Sequence, residues 1–347
     1  MNWALIGYGG MGQWHVSQLQ CMADVFTIAG VYDILPERNA LAAERGLHAY
    51  PTLDALLADT SIDLVTIATP NDTHLPLAIA AMRSGKHVIC EKPVALSSAE
   101  LTEMIAVSKQ TNRLLTVHQN RRWDEDFLIV KKLLAANELG PVFNIESRVQ
   151  GSRGVPGDWR NQKEHGGGMI LDWGVHLLDQ ILQLTDETVT SVYCQTTHVT
   201  NDAVDDGFKT VLTFESGWTA LVEVGTSHFI SLPRWYVCGN NGTAVIEDWK
   251  LKGEIVKVSD WEKRDAVPVV TAAGLTKTMA PRTSETICAY PLPAVQSDVK
   301  DFYINVKRTI EGGETQLVTH SQMLRVMRLM EALFQSAGQN QVVQQRI

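Results

Sequence analysis

The chain has 347 residues, of which 45% are hydrophobic and 20% are charged. This length exceeds what one hydrophobic core usually supports, so we expect two domains of ordinary globular composition. The formal net charge is -9. Because phosphate backbones bind clustered lysine and arginine, this charge argues against nucleic acid as a partner. No apolar run approaches the ~18 residues of a membrane span, so no membrane partner is expected either.

The cysteines and the N-terminus bear on the compartment. Cys21, Cys90, Cys194, Cys238 and Cys288 are scattered without a Cys-x-x-Cys pair. This spacing is typical of free thiols in a reducing compartment and indicates no metal site. A strand is predicted within three residues of Met1, which leaves no room for a secretory signal. We therefore predict a cytoplasmic protein that requires no metal.

The N-terminal segment has the order strand, glycine turn, helix. An apolar run at residues 3–6 is followed by Gly7-Tyr8-Gly9-Gly10-Met11-Gly12 and by a predicted helix over residues 13–22. Gly7 permits a tight turn, Gly9 lets the main chain touch a pyrophosphate, and Gly12 allows close packing of helix on strand. The pattern predicts a dinucleotide site. The alternative is a glycine turn in an unrelated doubly wound domain.

An acidic residue after the second strand supports the dinucleotide interpretation. The apolar run at residues 26–32 ends at Asp33, 21 residues after Gly12. A carboxylate at this position accepts hydrogen bonds from the adenosine ribose hydroxyls. Ile34 offers no cation for a 2′-phosphate, so NAD is predicted rather than NADP. Arg38 is the one residue nearby that could favour NADP.

Strands and helices alternate as far as residue 118. Strands are predicted at residues 63–68, 86–90 and 114–118, with helices at 75–84 and 98–111. Such repeats predict a doubly wound parallel sheet of Rossmann type, with ligands at the carboxyl ends of its strands. Those ends carry Thr69-Pro70-Asn71-Asp72-Thr73-His74, Glu91-Lys92-Pro93 and His118-Gln119-Asn120-Arg121-Arg122.

Beyond a helix near residues 127–136, consecutive strands replace this alternation. They are predicted at residues 142–150, 189–199, 208–214, 218–226, 235–237 and 243–247. Strands without intervening helices predict a large open antiparallel sheet. Helices at 295–310 and 321–337 close the chain, while residues 250–293 alternate poorly and predict no regular element. The fold class is therefore α/β, with an NAD-binding domain over residues 1–118 and an α+β domain for substrate binding and oligomerisation over 119–347.

A polar stripe marks the helix predicted after three glycines, Gly166-Gly167-Gly168. At about 100° per residue, Asp172, His176, Asp179 and Gln183 fall on one narrow stripe between apolar side chains. A narrow polar stripe on a buried helix predicts groups that face a cleft or ligand. The glycines would let a backbone or cofactor approach closely. The alternative is a buried Asp-His pair that only fixes the helix.

Together these motifs resemble the glucose-fructose oxidoreductase and inositol dehydrogenase (Gfo/Idh/MocA) family over nearly the whole chain. Members of that family act on many sugars, cyclic polyols and dihydrodiols. The resemblance rests on residues 7–12, Glu91-Lys92-Pro93, Asn120-Arg121-Arg122-Trp123, Asp158-Trp159-Arg160, the triple glycine, and Asp172 with His176.

The resemblance implies a role for each matching residue. Lys92 would hydrogen-bond the reacting hydroxyl and the nicotinamide ribose, His176 would be the general acid/base, and Asp172 would bind substrate and set the site electrostatics. Arg122 would lie near the cofactor or substrate; with Lys92, Asp172 and His176 it makes up the expected substrate set. The expected cofactor set is Gly7, Gly9, Gly10, Met11, Gly12, Asp33, Thr69, Pro70, Asn71, His74, Glu91, Lys92, Trp159 and Arg160.

The resulting expectation is an NAD-dependent dehydrogenase. It would transfer a hydride between nicotinamide and a secondary alcohol of a sugar, sugar derivative or cyclic polyol. Two alternatives remain open: an NAD-dependent glycosidase or isomerase that oxidises a sugar transiently, and a non-catalytic NAD-binding regulator. A homodimer or homotetramer is expected to form through the open sheet face, which would otherwise expose apolar strands.

Overall fold

A computed structural model describes residues 1–263 and 265–347. The N-terminal part is a parallel sheet with strand order β2-β1-β3-β4-β5, flanked by five α-helices, so the doubly wound prediction is confirmed. The strands are β1 (Asn2–Ile6), β2 (Thr27–Tyr32), β3 (Leu64–Ile67), β4 (His87–Cys90) and β5 (Leu115–Val117). The helices are α1 (Gly10–Gln20), α2 (Pro36–Glu44), α3 (Leu53–Ala58), α4 (His74–Arg83) and α5 (Ser98–Thr111).

The C-terminal part is built on a nine-stranded sheet with the order β15-β12-β11-β10-β6-β9-β8-β7-β16. Its pairs are antiparallel except for β6 and β9, which run parallel. Its strands are β6 (Val142–Gln150), β7 (Val189–Thr197), β8 (Gly207–Phe214), β9 (Thr219–Gly225), β10 (Trp235–Gly239), β11 (Gly242–Ile246), β12 (Gly253–Val258), β15 (Ile287–Pro291) and β16 (Val343–Gln344). A separate hairpin joins β13 (Val269–Thr271) and β14 (Gly274–Thr276).

Residues 250–293 therefore contain strands that the sequence pattern did not predict. For β15 the reason is its position at the sheet edge, where it is almost entirely exposed, and the short hairpin strands β13 and β14 are mostly exposed too. Strand β12 lies inside the sheet, but only one of its residues is buried. An exposed edge strand needs no alternation of apolar and polar residues, so it leaves no periodic signal.

Among the described residues, four α-helices belong to this part of the chain. They are α6 (Glu125–Ala135), α7 (Val175–Leu182), α8 (Lys300–Ile310) and α9 (His320–Gln339). Some of them pack on one face of the nine-stranded sheet, and α8 and α9 also contact the parallel-sheet part. Helix α8 begins five residues later than predicted and packs on the parallel-sheet part, where Tyr303 touches His15. Ser98 of α5 donates a hydrogen bond to Glu331 of α9. The chain thus returns to its first domain after completing the second.

One face of the nine-stranded sheet remains open. Val211 of β8 and Tyr236 of β10 lie on this face and are each partly exposed, at 40% and 38%. None of the helices in the described ranges has the length and apolar character needed to cross a membrane.

Candidate active site

The glycine turn is shaped by close backbone contacts. Gly7 has φ +97°, and a Cβ there would lie 2.5 Å from the Ala68 carbonyl oxygen. A Cβ on Gly12 would lie 2.0 Å from the Gly7 oxygen, so helix α1 touches the turn itself. Gly10 meets open space, and no side chain caps the first turn of α1. Free N–H groups at a helix start are suited to a pyrophosphate, so these residues fit a dinucleotide.

Asp33 lies beside this turn, as the sequence predicts. Its Oδ2 accepts a hydrogen bond from the Tyr8 amide at 2.7 Å, and its Oδ1 accepts one from the Leu35 amide at 2.9 Å. Arg38 already pairs with Oδ2 at 3.2 Å, with 44% of its side chain exposed. The Arg38 guanidinium therefore lies next to the carboxylate that is expected to bind the adenosine ribose, whereas Ile34 offers no positive charge there.

Asn71 and His74, which follow β3, form hydrogen bonds with backbone carbonyl groups of neighbouring loops. Asn71 is buried and donates to the Gly166 carbonyl at 2.9 Å. Both ring nitrogens of buried His74 lie within 3.0 Å of carbonyl oxygens, those of Pro93 and Thr69. Burial lowers the pKa of His74, while the hydrogen bonds to these two carbonyls act in the opposite direction. Contact of Thr69, Pro70, Asn71 and His74 with a cofactor stays a prediction.

Lys92, Asp172 and Arg160 come together between the two parts of the chain. Lys92 Nζ donates to the backbone oxygen and to Oδ1 of Asp172, both at 2.9 Å. Arg160 Nε lies 3.3 Å from the other carboxylate oxygen, and its guanidinium stacks on Trp159 at 4.5 Å. Burial opposes ionisation of Asp172, but the charges of Lys92 and Arg160 outweigh it and lower the pKa of this carboxyl.

His176 lies one turn after Asp172 and is buried. Among the described residues, its Nδ1 has no hydrogen-bond partner. Burial and the positive charges of Lys92 and Arg121 hold the pKa of His176 well below its usual value. Asp172 does not favour imidazolium at His176, because that carboxylate is turned toward Lys92 and Arg160. A neutral imidazole at neutral pH is ready to accept a proton.

The predicted polar stripe is only half in the cleft. Arg122 makes two hydrogen bonds to buried Asp179, at 2.6 and 2.7 Å, and Gln183 lies 3.4 Å from Gln322 of α9. Asp179 and Gln183 are thus not cleft groups. Residues 170–174 form a π-helical turn before α7, and this wider turn changes the phase that a continuous α-helix would have.

Four of the five N–H groups of Arg122 donate to protein acceptors. Besides Asp179, its Nη1 donates to the Leu317 carbonyl at 3.2 Å and to the Gln322 side chain at 3.0 Å. Through these bonds the guanidinium links α7 to the segment at the start of α9. Contact with cofactor or substrate stays a prediction.

Sequence reasoning missed Asp205, which fixes the start of the π-helical turn. Its Oδ2 accepts from the Ile170 amide at 2.8 Å, and its carbonyl accepts from the Met169 amide at 3.0 Å. Gly168 has φ +101°, and a Cβ there would lie 2.2 Å from Asp205 Oδ1. The third glycine therefore allows this carboxylate to approach. Nothing in the local sequence distinguishes Asp205 from a surface aspartate.

Replacing Asp205 with asparagine should change how stability depends on pH. Burial raises the pKa of Asp205 to about 6, against 3.8 for an unperturbed carboxyl. The folded protein thus holds this proton more tightly, and the resulting stability is lost as pH rises through about 6. At about 1.4 kcal/mol per pKa unit, the wild-type unfolding free energy minus that of Asp205→Asn should fall by about 2 kcal/mol from pH 4 to pH 7, because the unfolded carboxyl is already partly ionised at pH 4.

Urea unfolding across that pH range measures the difference. Asp206→Asn is the matched control, because hydrogen bonds with Thr197 and Thr200 outweigh burial and lower the pKa of Asp206. Its difference from wild type should stay constant over this range. A constant difference for Asp205→Asn as well would contradict the prediction.

Comparison with known proteins extends these findings to both domains. Residues 1–119 match the family model described as "Oxidoreductase family, NAD-binding Rossmann fold", and residues 127–245 match the GFO/IDH/MocA C-terminal domain. The solved structure of an NAD-binding protein from Listeria innocua is 48% identical, with a TM-score of 0.96 and coverage of 99% of both chains.

Two curated relatives also match. The uncharacterized oxidoreductase YdgJ of Escherichia coli (strain K12) is 33% identical over 292 residues, 81% of each chain. The scyllo-inositol 2-dehydrogenase (NADP(+)) IolW of Bacillus subtilis (strain 168) is 26% identical over 84% of this chain and 81% of its own. Because the matches span both domains and agree with the glycine turn, the chain belongs to the Gfo/Idh/MocA oxidoreductase family, whose N-terminal domain is an NAD-binding Rossmann fold.

Proposed function

We propose that the protein is an NAD-dependent dehydrogenase acting on a secondary alcohol of a sugar, sugar derivative or cyclic polyol. The observation that carries this proposal is the meeting of Lys92, Asp172 and Arg160 next to a buried, neutral His176. Lys92 follows β4, at the edge of the parallel sheet where dinucleotides bind. Alcohol oxidation needs a hydride acceptor and a base: the glycine turn at residues 7–12 would hold the dinucleotide that supplies the acceptor, and His176 would be the base.

The chain's own residues handle the proton. The bound nicotinamide supplies the hydride acceptor. The neutral imidazole of His176 takes the hydroxyl proton, and the Lys92 ammonium donates a hydrogen bond that orients the alcohol oxygen. Asp172 holds Lys92 through two hydrogen bonds, which fixes the ammonium at little cost in side-chain motion during the reaction. Arg160 shares the Asp172 charge, so the carboxylate does not compete for the proton.

A polyhydroxylated ring suits this arrangement better than a simple alcohol. Lys92, Asp172, Arg160 and His176 offer both donors and acceptors within one small region, and sites built this way reject ligands that leave them unpaired. A relative named as an inositol dehydrogenase supports the same class.

A substrate panel tests the proposal directly. Cyclic polyols, aldoses and glycosides are incubated with NAD, and the absorbance of the reduced cofactor is followed. At least one inositol or sugar should be oxidised with higher catalytic efficiency than every aliphatic alcohol. Higher efficiency on aliphatic alcohols would contradict the substrate class. Product formation without net reduced cofactor would point instead to transient oxidation, as in a glycosidase or isomerase.

Cofactor choice should depend on Asp33 and Arg38. A carboxylate about 4 Å from a 2′-phosphate costs about 4 kcal/mol at an effective dielectric of 20, and exposed Arg38 offsets part of this. We expect a preference for NAD of roughly two decades. Asp33→Asn should narrow it while keeping an acceptor for the Tyr8 amide, and Arg38→Ala should widen it. Equal catalytic efficiency of the wild-type protein with NAD and NADP would refute this assignment.

Replacing either Lys92 or His176 should lower turnover. His176→Gln should lower turnover by about 100- to 10,000-fold, the usual contribution of a general acid/base, while NAD affinity stays unchanged. Lys92→Met should be at least as damaging, because it also releases Asp172. Turnover is measured with the best substrate of the panel, and NAD affinity is measured by titrating NAD against the tryptophan fluorescence of the protein.

A buried lysine beside the same strand, Lys86, provides the control for that pair. Lys86 lies just before β4, as Lys92 lies just after it, and its ammonium donates to the Asp59 carbonyl. Lys86→Met should lower stability and leave the turnover of the folded protein unchanged. Folded Lys92 and His176 variants that bind NAD and keep near wild-type turnover would remove both residues from the mechanism.

We also propose a homodimer or homotetramer, formed through the open sheet face, in the cytoplasm. The partly exposed Val211 and Tyr236 on that face support burial against a second copy. Nucleic acid and membranes are not expected partners, given the net charge of -9.

A further inference from the structure

A buried carboxylate lies next to the proposed catalytic lysine and takes no part in the mechanism above. Glu91 Oε1 is 2.8 Å from His15 Nε2 and 2.8 Å from His118 Nδ1. Its other oxygen accepts a hydrogen bond from the Lys92 amide at 3.2 Å. All of these side chains except Lys92 are buried. Three N–H groups therefore converge on one carboxylate.

The protonation of the group follows from its outer member, Tyr303. Its hydroxyl lies 2.7 Å from His15 Nδ1. Burial lowers the pKa of His15, so its ring carries one hydrogen, and the carboxylate of Glu91 can only accept. Burial and the Glu91 charge raise the pKa of Tyr303 well above its usual value, so its hydroxyl stays protonated and donates a hydrogen bond to Nδ1. His15 must then carry its hydrogen on Nε2 and donate to Glu91. Burial opposes ionisation of Glu91, but His118 and His15 outweigh it and lower its pKa, so the carboxylate stays charged.

His15, Glu91 and His118 also have the donor types of a metal site, because their ligand atoms lie close together. Hydrogen bonds already account for each of these atoms. The remaining ring nitrogen of His118, Nε2, is buried among Trp14, Phe302 and Tyr303 and has no partner in the described part of the chain. Histidines that bind a metal almost always use the second nitrogen in a hydrogen bond. This arrangement is therefore a carboxylate held by histidines.

The members of the group come from four separate elements. His15 lies in α1, the helix that begins at the glycine turn, and Glu91 follows β4. His118 follows β5, and Tyr303 lies in α8, which returns from the second domain. The peptide that carries Lys92 is thus tied directly to the helix that would receive the cofactor phosphates.

We infer that Glu91 is a positioning residue for Lys92. Through its hydrogen bonds with His15 and His118, Glu91 holds the Lys92 peptide at a fixed position relative to α1, the helix that begins at the glycine turn. This inference rests on the proposed function of Lys92. Reacting groups lose about a hundredfold in rate for a displacement of about 1 Å. Glu91 belongs to the expected cofactor set, but both of its carboxylate oxygens are engaged by His15, His118 and the Lys92 amide, so it clamps the Lys92 peptide and affects turnover through Lys92.

A double-mutant cycle separates positioning from a purely structural role. Glu91→Gln keeps the side-chain volume and removes the charge. We expect kcat on the best substrate of the polyol panel to fall about 10- to 100-fold, with the NAD dissociation constant within about threefold of wild type. In the Lys92→Met background the same change should cost almost nothing, because Glu91 acts through Lys92. Equal losses in both backgrounds would overturn the inference.

Hydrogen exchange with NAD present tests the clamp even if the panel yields no substrate. The Lys92 amide should exchange about tenfold faster in Glu91→Gln, since it loses a charge-assisted bond, while the glycine turn at residues 7–12 is unchanged. Tyr303→Phe should raise the same exchange less. Unchanged exchange at Lys92 would overturn the inference whatever the fate of the proposed function.

Asp126 provides the matched control for a buried carboxylate. It accepts hydrogen bonds from Arg234 and Trp235 in the second domain. Asp126→Asn should lower the melting temperature and leave Lys92 exchange unchanged. Faster Lys92 exchange in this variant would mean that any loss of stability loosens the site, and would count against a specific clamp. A stoichiometric divalent metal in the purified protein would also overturn the inference, because hydrogen bonds would not then define the group.

Discussion

The site depends on one ion pair, between Lys92 and Asp172, that spans the two parts of the chain. Lys92 follows a strand of the parallel sheet, and Asp172 lies in the π-helical turn of the second domain. With their side chains 14% and 12% exposed, both charges have lost most of their water. Buried pairs add little net stability, but removing one partner leaves an uncompensated charge. The pair therefore fixes the register of the domains more than it strengthens the fold.

The Lys92–Asp172 pair also acts on His176. Burial removes the water that would stabilise an imidazolium, and the positive charges of Lys92 and Arg121 act in the same direction. Arg160 is shared between Asp172 and Asp158, so its charge is compensated by two carboxylates. The pKa of His176 is therefore held below its usual value mainly by burial, with Lys92 as the nearest charge that adds to the effect.

The sequence predicted the parts of the site that have local patterns. The glycine turn follows from spacing, and the placement of Lys92 follows from strand ends meeting at one edge of a parallel sheet. The pairing of Arg122 with Asp179 could not be predicted, because the two residues are 57 positions apart and the polar stripe that contains Asp179 gives no indication of its partner. The π-helical turn was missed for a related reason: a 3.6-residue period fits residues 171–184 well enough to conceal one wide turn.

Lys92 is held at both ends. Its ammonium is fixed by Asp172 from the second domain, and its amide donates to Glu91, which is itself held by His15 of the helix at the glycine turn. The two constraints come from opposite sides of the cleft, so moving either domain moves one end of the residue against the other. The position of Lys92 thus depends on both domains at once, because one contact of the residue comes from each of them.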